Sequence, residues 1–273
     1  MVQSTEVQVY QLPTGSYTTR AALAFRGGSF RDKRQFASTA VLVTHPAGDV
    51  LIDAGFGVHA EQHIDSLPSF RRSPHDLGDP VSAQLDAVGY NLERLRGVIL
   101  THSHWDHVSG LDSLDVPVHL TREERQYADH ARGDTVFERV IADRRVVEYA
   151  FDGPPQSGFP ASHDFYGDGS LVIVPAGGHT TGSVVIFVTT SDGPRYAFIG
   201  DLAWQLDGVT RGVERPLLMR MMADSDPAQV RRDLALIRSL SERYQIVPAH
   251  DARGYAGILR VSEWRDGTGR AAS

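Results

Sequence analysis

The sequence has no cysteine among its 273 residues, and this absence limits the chemistry that the chain can perform. Neither a disulfide nor a thiolate metal site can form, so any metal must be held by histidine and carboxylate side chains. Basic residues are also in the minority, with 27 lysines and arginines against 34 acidic residues. Nucleic-acid binding needs clustered basic side chains for phosphate contacts, so the composition argues against a nucleic-acid partner.

Long apolar runs are missing as well. No segment approaches the length of a membrane span, and the first residues lack the basic and apolar pattern of a signal peptide. We therefore expect a cytoplasmic protein with no membrane partner. A hydrophobic fraction of 41% is ample for a core. We expect residues 1–273 to form a single domain of two similar halves that meet near residue 150. The residues after Arg265 should form a polar tail at its end.

Short apolar runs alternate with amphipathic segments along the chain. The residues between 79 and 89 predict a helix, and Asp226-Pro227 opens another. Thr121-Arg-Glu-Glu124 has the spacing of a helix-opening capping box. The Gly-, Pro- and Ser-rich residues from 152 to 169 predict a long loop. Strands are predicted at 39–44, 49–53, 97–101, 171–175, 184–188, 196–199 and 245–248.

Four metal-binding side chains lie within six residues, directly after a predicted buried strand. They are His102, His104, Asp106 and His107. On an extended segment, side chains two residues apart point the same way, so His102 and His104 can reach one ion. Asp106 and His107 lie where the chain should turn, and they can diverge toward a second ion.

Three further candidate ligands, His179, Asp201 and His250, each follow a later predicted strand. The two oxygens of Asp201 could bridge two cations. Histidine and carboxylate ligands favour Zn, Fe, Mn, Co or Ni over Ca or Mg. We therefore expect two divalent transition-metal ions, with zinc as the first choice and Fe, Mn or Co as alternatives. Two such ions lower the pKa of a bridging water enough to give hydroxide near neutral pH.

With these motifs the chain resembles the metallo-β-lactamase-fold hydrolase superfamily over nearly its whole length, from the Asp53 strand to His250. The resemblance implies an α/β fold, a four-layer αββα sandwich of two mixed β-sheets flanked by helices, with metals at one edge. It also implies that Asp53 supports the site from behind the ligands. The ligand sets it implies are His102, His104 and His179 for one metal, Asp106, His107 and His250 for the other, and Asp201 as the bridge.

Within the superfamily, the chain is most similar to N-acyl-homoserine lactone lactonases. The similarity lies in the hairpin from Phe36 to Asp53 and in the metal motif itself. It implies a small-molecule ester or lactone substrate and a quorum-quenching role. The sequence departs from these lactonases at Trp204, where they carry a tyrosine that contacts the substrate carbonyl. An indole N–H can donate a hydrogen bond but cannot accept one, so we expect Trp204 to form a wall of the substrate site.

The resulting hypothesis is a dinuclear metal-dependent lactonase in which a metal-bridging hydroxide attacks an ester carbonyl and Asp106 passes a proton to the leaving group. Aryl esters, organophosphate triesters and thioesters are alternative substrates, and a metal-binding sensor with little activity is a further alternative. Apolar side chains could line an acyl-chain pocket, form ordinary core or serve a homodimer interface. These residues are Phe56, Leu67 and Phe70, and Leu217, Leu218, Met219, Met221 and Met222.

Overall fold

The computed structural model describes residues 6–130, 135–191 and 193–264, with position 70 described by its backbone alone. The predicted tail after Arg265 lies outside the described residues. The strands are β1 Gln8–Arg20, β2 Lys33–Thr44, β3 Asp49–Ile52, β4 His75–Leu77, β5 Leu95–Ile99, β6 Val118–Thr121, β7 Val146–Tyr149, β8 His163–Asp164, β9 Leu171–Pro175, β10 Val184–Thr189, β11 Arg195–Phe198, β12 Gln245–Val247 and β13 Leu259–Arg260. The α-helices are α1 Ala21–Ala24, α2 Ala60–Ser66, α3 Val81–Ala87, α4 Trp105–Val108, α5 Arg122–His130, α6 Val136–Ile141, α7 Leu206–Arg211, α8 Leu217–Ala223 and α9 Pro227–Ser239.

Two mixed β-sheets are built from these strands. In the first sheet the order is β13-β1-β2-β3-β5-β6-β7, and β4 also pairs with β1. Its β1–β2–β3 part is antiparallel, whereas the pairs from β3 to β7 are parallel. In the second sheet the order is β12-β11-β10-β9-β8, and only the β11–β12 pair is parallel. The chain leaves the first sheet after Tyr149 and returns to its edge with β13.

Alternating apolar side chains hold the layers together, as expected for strands buried on both faces. On β2, Leu42 packs among side chains from α3 and α6, while Val41 and Val43 pack against the second sheet. On β10, Ile186 faces the first sheet and Phe187 packs against α9. The layers are therefore helices, sheet, sheet and helix, which confirms the predicted αββα sandwich.

Most predicted elements are present, and the main omission is β1. Its 13 residues make it the longest strand in the described chain. It was not predicted because residues 13–20 contain no apolar run. Thr121 caps α5 as predicted, since its hydroxyl accepts from Glu124 N at 3.1 Å. The Glu124 side chain does not complete the capping box, because it accepts hydrogen bonds from Ser103, Thr180 and Gly182 instead.

Within the described chain, no helix is long and apolar enough to span a membrane. Four expectations stay predictions: the cytoplasmic location, the single domain with two similar halves, the homodimer and the exclusion of nucleic acid.

Asp233 on α9 gives the fold a testable pH dependence. Its Oδ2 atom is buried without a hydrogen bond to any described residue, and burial raises the pKa of this carboxyl from 3.8 to about 6. Between these values the folded protein retains a proton that the unfolded chain has released, so stability falls as the pH rises from 4 to 6. After allowance for solvent screening, Asp233→Asn should stabilise the protein by about 1 kcal/mol at pH 7.

Urea unfolding at pH 4 and pH 7 measures this effect. We expect the variant to differ from the wild type at pH 7 and to match it at pH 4. Glu242→Gln, at an exposed position after the same helix, is the control and should change neither value. An equal gain for Asp233→Asn at both pH values would contradict the assignment to ionisation.

Candidate metal centre

The candidate ligands lie at one edge of the sandwich, just beyond the C-terminal ends of four strands. The segment after β5 contributes His102 to His107, and the segments after β9, β11 and β12 contribute His179, Asp201 and His250. All of these side chains are buried except His104, which is half-buried. The structure brings them together in two groups that could each hold a metal ion, namely His102, His104, His179 and Asp201, and Asp106, His107 and His250.

The first group has the spacing of a tetrahedral site. His104 Nδ1 lies 3.0 Å from His102 Nε2 and 3.0 Å from His179 Nε2. Asp201 Oδ2 lies 3.3 Å from His179 Nε2 and 3.7 Å from His102 Nε2. Four ligands around zinc, at metal–nitrogen distances of about 2.0–2.1 Å, are separated from one another by roughly 3.3 Å. The four donor atoms therefore fit a single ion.

The second group shares Asp201 with the first. His250 Nε2 lies 3.4 Å from His107 Nε2 and 3.5 Å from Asp106 Oδ2. Asp201 Oδ1 lies 3.0 Å from His250 Nε2 and 3.4 Å from His107 Nε2. One oxygen of Asp201 thus faces each group, which is the arrangement expected of a bridging carboxylate.

In each candidate histidine, one ring nitrogen faces the other donor atoms (the inner nitrogen) and one faces away from them (the outer nitrogen). Hydrogen bonds at the outer nitrogens leave the inner nitrogens with free lone pairs. An acceptor on the outer nitrogen fixes the proton there and turns the unprotonated nitrogen inward. Asp201 Oδ1 is also buried without a hydrogen bond to any described residue. Lone pairs that converge in this way repel one another unless a cation lies between them, so the donor set fits divalent metal ions. The outer contacts are His107 Nδ1 to Asp53 Oδ2 at 2.8 Å, His250 Nδ1 to the Ala37 carbonyl at 2.8 Å and His179 Nδ1 to Asp224 Oδ1 at 3.2 Å.

Protonation differs between the two groups. Burial lowers the pKa of His102 and of His104 well below the ordinary value, so both remain neutral and can bind a metal. Burial also acts to lower the pKa of His107, but the carboxylates of Asp53 and Asp201 outweigh it and raise this pKa well above the ordinary value. Protons and cations therefore compete more strongly for the second group than for the first.

Asp53 occupies the supporting position that the resemblance implies. It follows β3 with a φ of 55°, in the left-handed region that non-glycine residues rarely adopt. Its carboxylate accepts from Thr101 N at 2.7 Å and from Thr101 Oγ1 at 2.8 Å, in addition to His107. Asp53 therefore fixes both the end of β5 and the orientation of a candidate ligand.

Glu124 is a second supporting carboxylate, and the sequence analysis assigned it only to helix capping. The side chain is buried and accepts from Ser103 N at 2.7 Å and from Ser103 Oγ at 2.6 Å. It also accepts from Thr180 Oγ1 at 2.5 Å and from Gly182 N at 3.2 Å. Because Ser103 lies between His102 and His104 and Thr180 follows His179, Glu124 joins the two loops of the first group.

A buried ion pair behind His179 was not predicted. Arg215 Nη1 lies 3.0 Å from Asp224 Oδ1, and both side chains are almost fully buried. Arg215 Nη2 lies 3.2 Å from His179 Nδ1 but donates to the Asp201 carbonyl, so we assign the His179 proton to the bond with Asp224. No sequence motif marks either residue.

Trp204 is half-buried beside the first group, and its N–H is already engaged. The indole Nε1 donates to Asp201 Oδ2 at 2.7 Å, and the Arg215 guanidinium lies 4.6 Å from the ring centroid. The wall position expected for Trp204 stays a prediction.

The apolar side chains considered for an acyl pocket differ in their exposure to solvent. Phe56 and Leu67 are buried, and the Phe70 side chain lies outside the described part of the chain. Four of the others are exposed on α8, namely Leu217, Leu218, Met221 and Met222.

Tyr17 on β1 is another residue that the sequence analysis missed. Its hydroxyl donates to Asp106 Oδ2 at 3.1 Å, and its ring lies edge-on to His250 with centroids 5.6 Å apart. Burial, with Asp106 and Asp201 nearby, raises the pKa of this phenol well above its ordinary value. Tyr17 therefore stays protonated as a donor.

A family model described as the metallo-beta-lactamase superfamily matches residues 34–250. The chain belongs to the metallo-beta-lactamase superfamily. Together with the two groups of histidine and carboxylate ligands, this membership makes it a metal-dependent hydrolase that binds divalent metal ions.

The chain is also similar to individual proteins. The chain is 29% identical over 232 residues to a probable metallo-hydrolase of Mycobacterium tuberculosis, covering 77% of this chain and 73% of that protein. It is 23% identical over 271 residues to the N-acyl homoserine lactonase AttM of Rhizobium johnstonii, covering 95% and 99%. A solved N-acyl homoserine lactone hydrolase with N-hexanoyl-L-homoserine at its catalytic metal centre has a TM-score of 0.73 at 16% identity, covering 97% and 100%. This structural similarity confirms the fold.

Proposed function

We propose that this superfamily member is a dinuclear lactonase that opens N-acyl-homoserine lactones or closely related small esters. The observation that carries the proposal is the sharing of Asp201 by two convergent donor groups, each spaced for one ion. Similarity to the lactonase AttM along 95% of the chain supports the lactone as substrate.

The proposed ligand sets are His102, His104 and His179 for one ion, and Asp106, His107 and His250 for the other, with Asp201 as the bridge. Zinc suits such donors, with Fe, Mn or Co as alternatives. When bound, two divalent ions supply a deprotonated water as nucleophile and polarise the substrate carbonyl. Trp204 would form part of the wall against which the substrate lies.

Asp106 has the position of a proton carrier. Its Oδ2 atom lies at the edge of the second group, 3.5 Å from His250 Nε2, and Tyr17 donates to this oxygen. The nucleophilic oxygen adds to the carbonyl carbon, the bond from that carbon to the ring oxygen breaks, and the leaving alkoxide needs one proton. Asp106 takes the proton that the added oxygen still carries and delivers it to that alkoxide, which gives a carboxylate and an alcohol and balances the reaction.

A substrate panel tests the proposed function. We expect metal-loaded protein to hydrolyse acyl-homoserine lactones faster than aryl esters, thioesters or a phosphotriester. Treatment with a chelator should abolish the activity, and addition of zinc should restore it. Strong turnover of thioesters with none of lactones would overturn the substrate assignment.

Aryl esters are the second candidate substrate because aromatic side chains lie beside the ligands. Tyr17, Trp105 and Trp204 are each half-buried and each adjoin the donor groups. Such rings could stack on an aromatic leaving group. A higher kcat/KM for phenyl acetate than for any lactone would favour this second function.

A further inference from the structure

Tyr17 places a hydroxyl at the second donor group from a strand that contributes none of the ligands. Its oxygen lies 3.1 Å from Asp106 Oδ2, the same atom that lies 3.5 Å from His250 Nε2. The contact links residues 89 positions apart in the chain.

The position of the Tyr17 ring is fixed by its neighbours. Tyr17 is paired with Phe36 across the β1–β2 ladder, and their ring centroids are 5.2 Å apart. The Phe36 ring in turn stacks on His250 with centroids 5.5 Å apart and planes 13° apart. The Tyr17 ring thus contacts Phe36, its partner on β2, and His250, a candidate ligand. These contacts leave the Tyr17 hydroxyl little freedom to move. The pairing of β1 with β2 therefore fixes the hydrogen bond from Tyr17 to Asp106.

A second aromatic donor, Trp204, contacts the other candidate carboxylate ligand. The indole N–H of Trp204 is its only donor, and it is directed to Asp201 Oδ2 at 2.7 Å. Each candidate carboxylate ligand thus receives one hydrogen bond from an aromatic side chain, Asp201 from Trp204 and Asp106 from Tyr17. Trp204 and Tyr17 therefore contact different carboxylates, and the Tyr17 hydroxyl donates to Asp106, the proposed proton carrier.

We propose that Tyr17 is a positioning residue for Asp106. Its hydroxyl holds Oδ2 in the orientation from which the carboxylate can both complete the second group and deliver a proton. The effect on turnover rests on the proposed function, but the hydrogen bond can be tested without any substrate. A hydrogen bond to a charged group corresponds to about 10- to 100-fold in an equilibrium or a rate.

The kinetic test compares Tyr17→Phe, Asp106→Asn and the double variant, all fully loaded with zinc. Tyr17→Phe should lower kcat by about 10- to 100-fold and leave KM within about threefold, because the ring and its packing remain. The double variant should be no slower than Asp106→Asn alone, since Tyr17 acts through Asp106. Tyr10→Phe is the matched control: it lies on the same strand, loses a hydroxyl bonded to Gln8 Oε1 at 2.6 Å, and should behave as wild type.

The spectroscopic test uses cobalt-substituted protein with no substrate. Tyr17→Phe should bind two ions per chain and change the visible absorption spectrum of Co(II), whereas Tyr10→Phe should leave the spectrum unchanged. A Tyr17→Phe spectrum identical to that of the wild type would overturn the proposal, as would kinetic losses that multiply in the double variant. If the wild-type protein hydrolysed no ester, the proposed function would be wrong. The cobalt spectra would still test the role of Tyr17, because they need no substrate.

Discussion

Asp201→Asn should lower kcat/KM by at least about 10³-fold, because it alters the carboxylate that we propose as the bridge between the two metals. Loss of a residue that only supports a metal ligand already costs about 10- to 100-fold. The carboxylate presents Oδ2 to one donor group and Oδ1 to the other. An amide retains one acceptor oxygen and no charge, so it cannot hold two cations together. Burial acts to raise the pKa of Asp201, but the neighbouring histidines, with His250 first among them, outweigh it and keep this pKa well below its ordinary value. The wild-type carboxylate is therefore anionic.

Metal content and turnover should be measured on the same Asp201→Asn sample. We expect fewer than two ions per chain after gel filtration and partial recovery at most when zinc is added in excess. Asp168→Asn serves as the control, since Asp168 is an exposed aspartate that pairs with His45. A variant that kept two ions and near-normal turnover would contradict the bridging role.

Glu124→Ala should have the second largest effect, and it should act on stability and metal binding together. Removal of the carboxylate leaves buried donors on Ser103, Thr180 and Gly182 without their acceptor. We expect a loss of about 4 kcal/mol in the free energy of unfolding, since each unsatisfied buried donor costs about 1–3 kcal/mol and water can replace part of the loss. Affinity for a metal at the first group should fall about 10- to 100-fold, because Glu124 holds the loops that carry three of its candidate ligands.

The neighbouring residue provides a close control for Glu124. Glu123 lies on the same turn of α5 but is exposed, so Glu123→Ala should change neither stability nor metal affinity. Glu124→Gln, which keeps the shape and one acceptor oxygen, should fall between the wild type and Glu124→Ala. Equal effects of the substitutions at positions 123 and 124 would show that helix content, and not the buried hydrogen bonds, is responsible.

The side chains that the structure brings together in the two groups were predictable because their signals are local. A buried apolar strand followed by His-x-His-x-Asp-His fixes both the element and the position of four side chains at its end. A short apolar strand of the same kind precedes each of the other three residues, His179, Asp201 and His250, and sets its position. The division into two groups also follows from local geometry, since His104 ends an extended segment and α4 begins at Trp105.

The supporting residues were not predictable because their partners are distant in the chain. Tyr17 meets Asp106 only after β1 pairs with β2, and β1 lacks the apolar run that would have revealed it. The local pattern around Glu124 indicated a capping box, yet tertiary contacts with Ser103 and Thr180 take the side chain instead. Arg215 and Asp224 carry no pattern at all, and only the folded loops place them behind His179.

Anomalous X-ray scattering from crystals of the zinc-loaded protein tests the central claim most directly. We expect two peaks about 3.5–4 Å apart, the usual separation in two-metal sites, with the Asp201 carboxylate between them. His102, His104 and His179 should surround one peak, and Asp106, His107 and His250 the other. A single peak in fully active protein, or a second peak away from these residues, would contradict the dinuclear account.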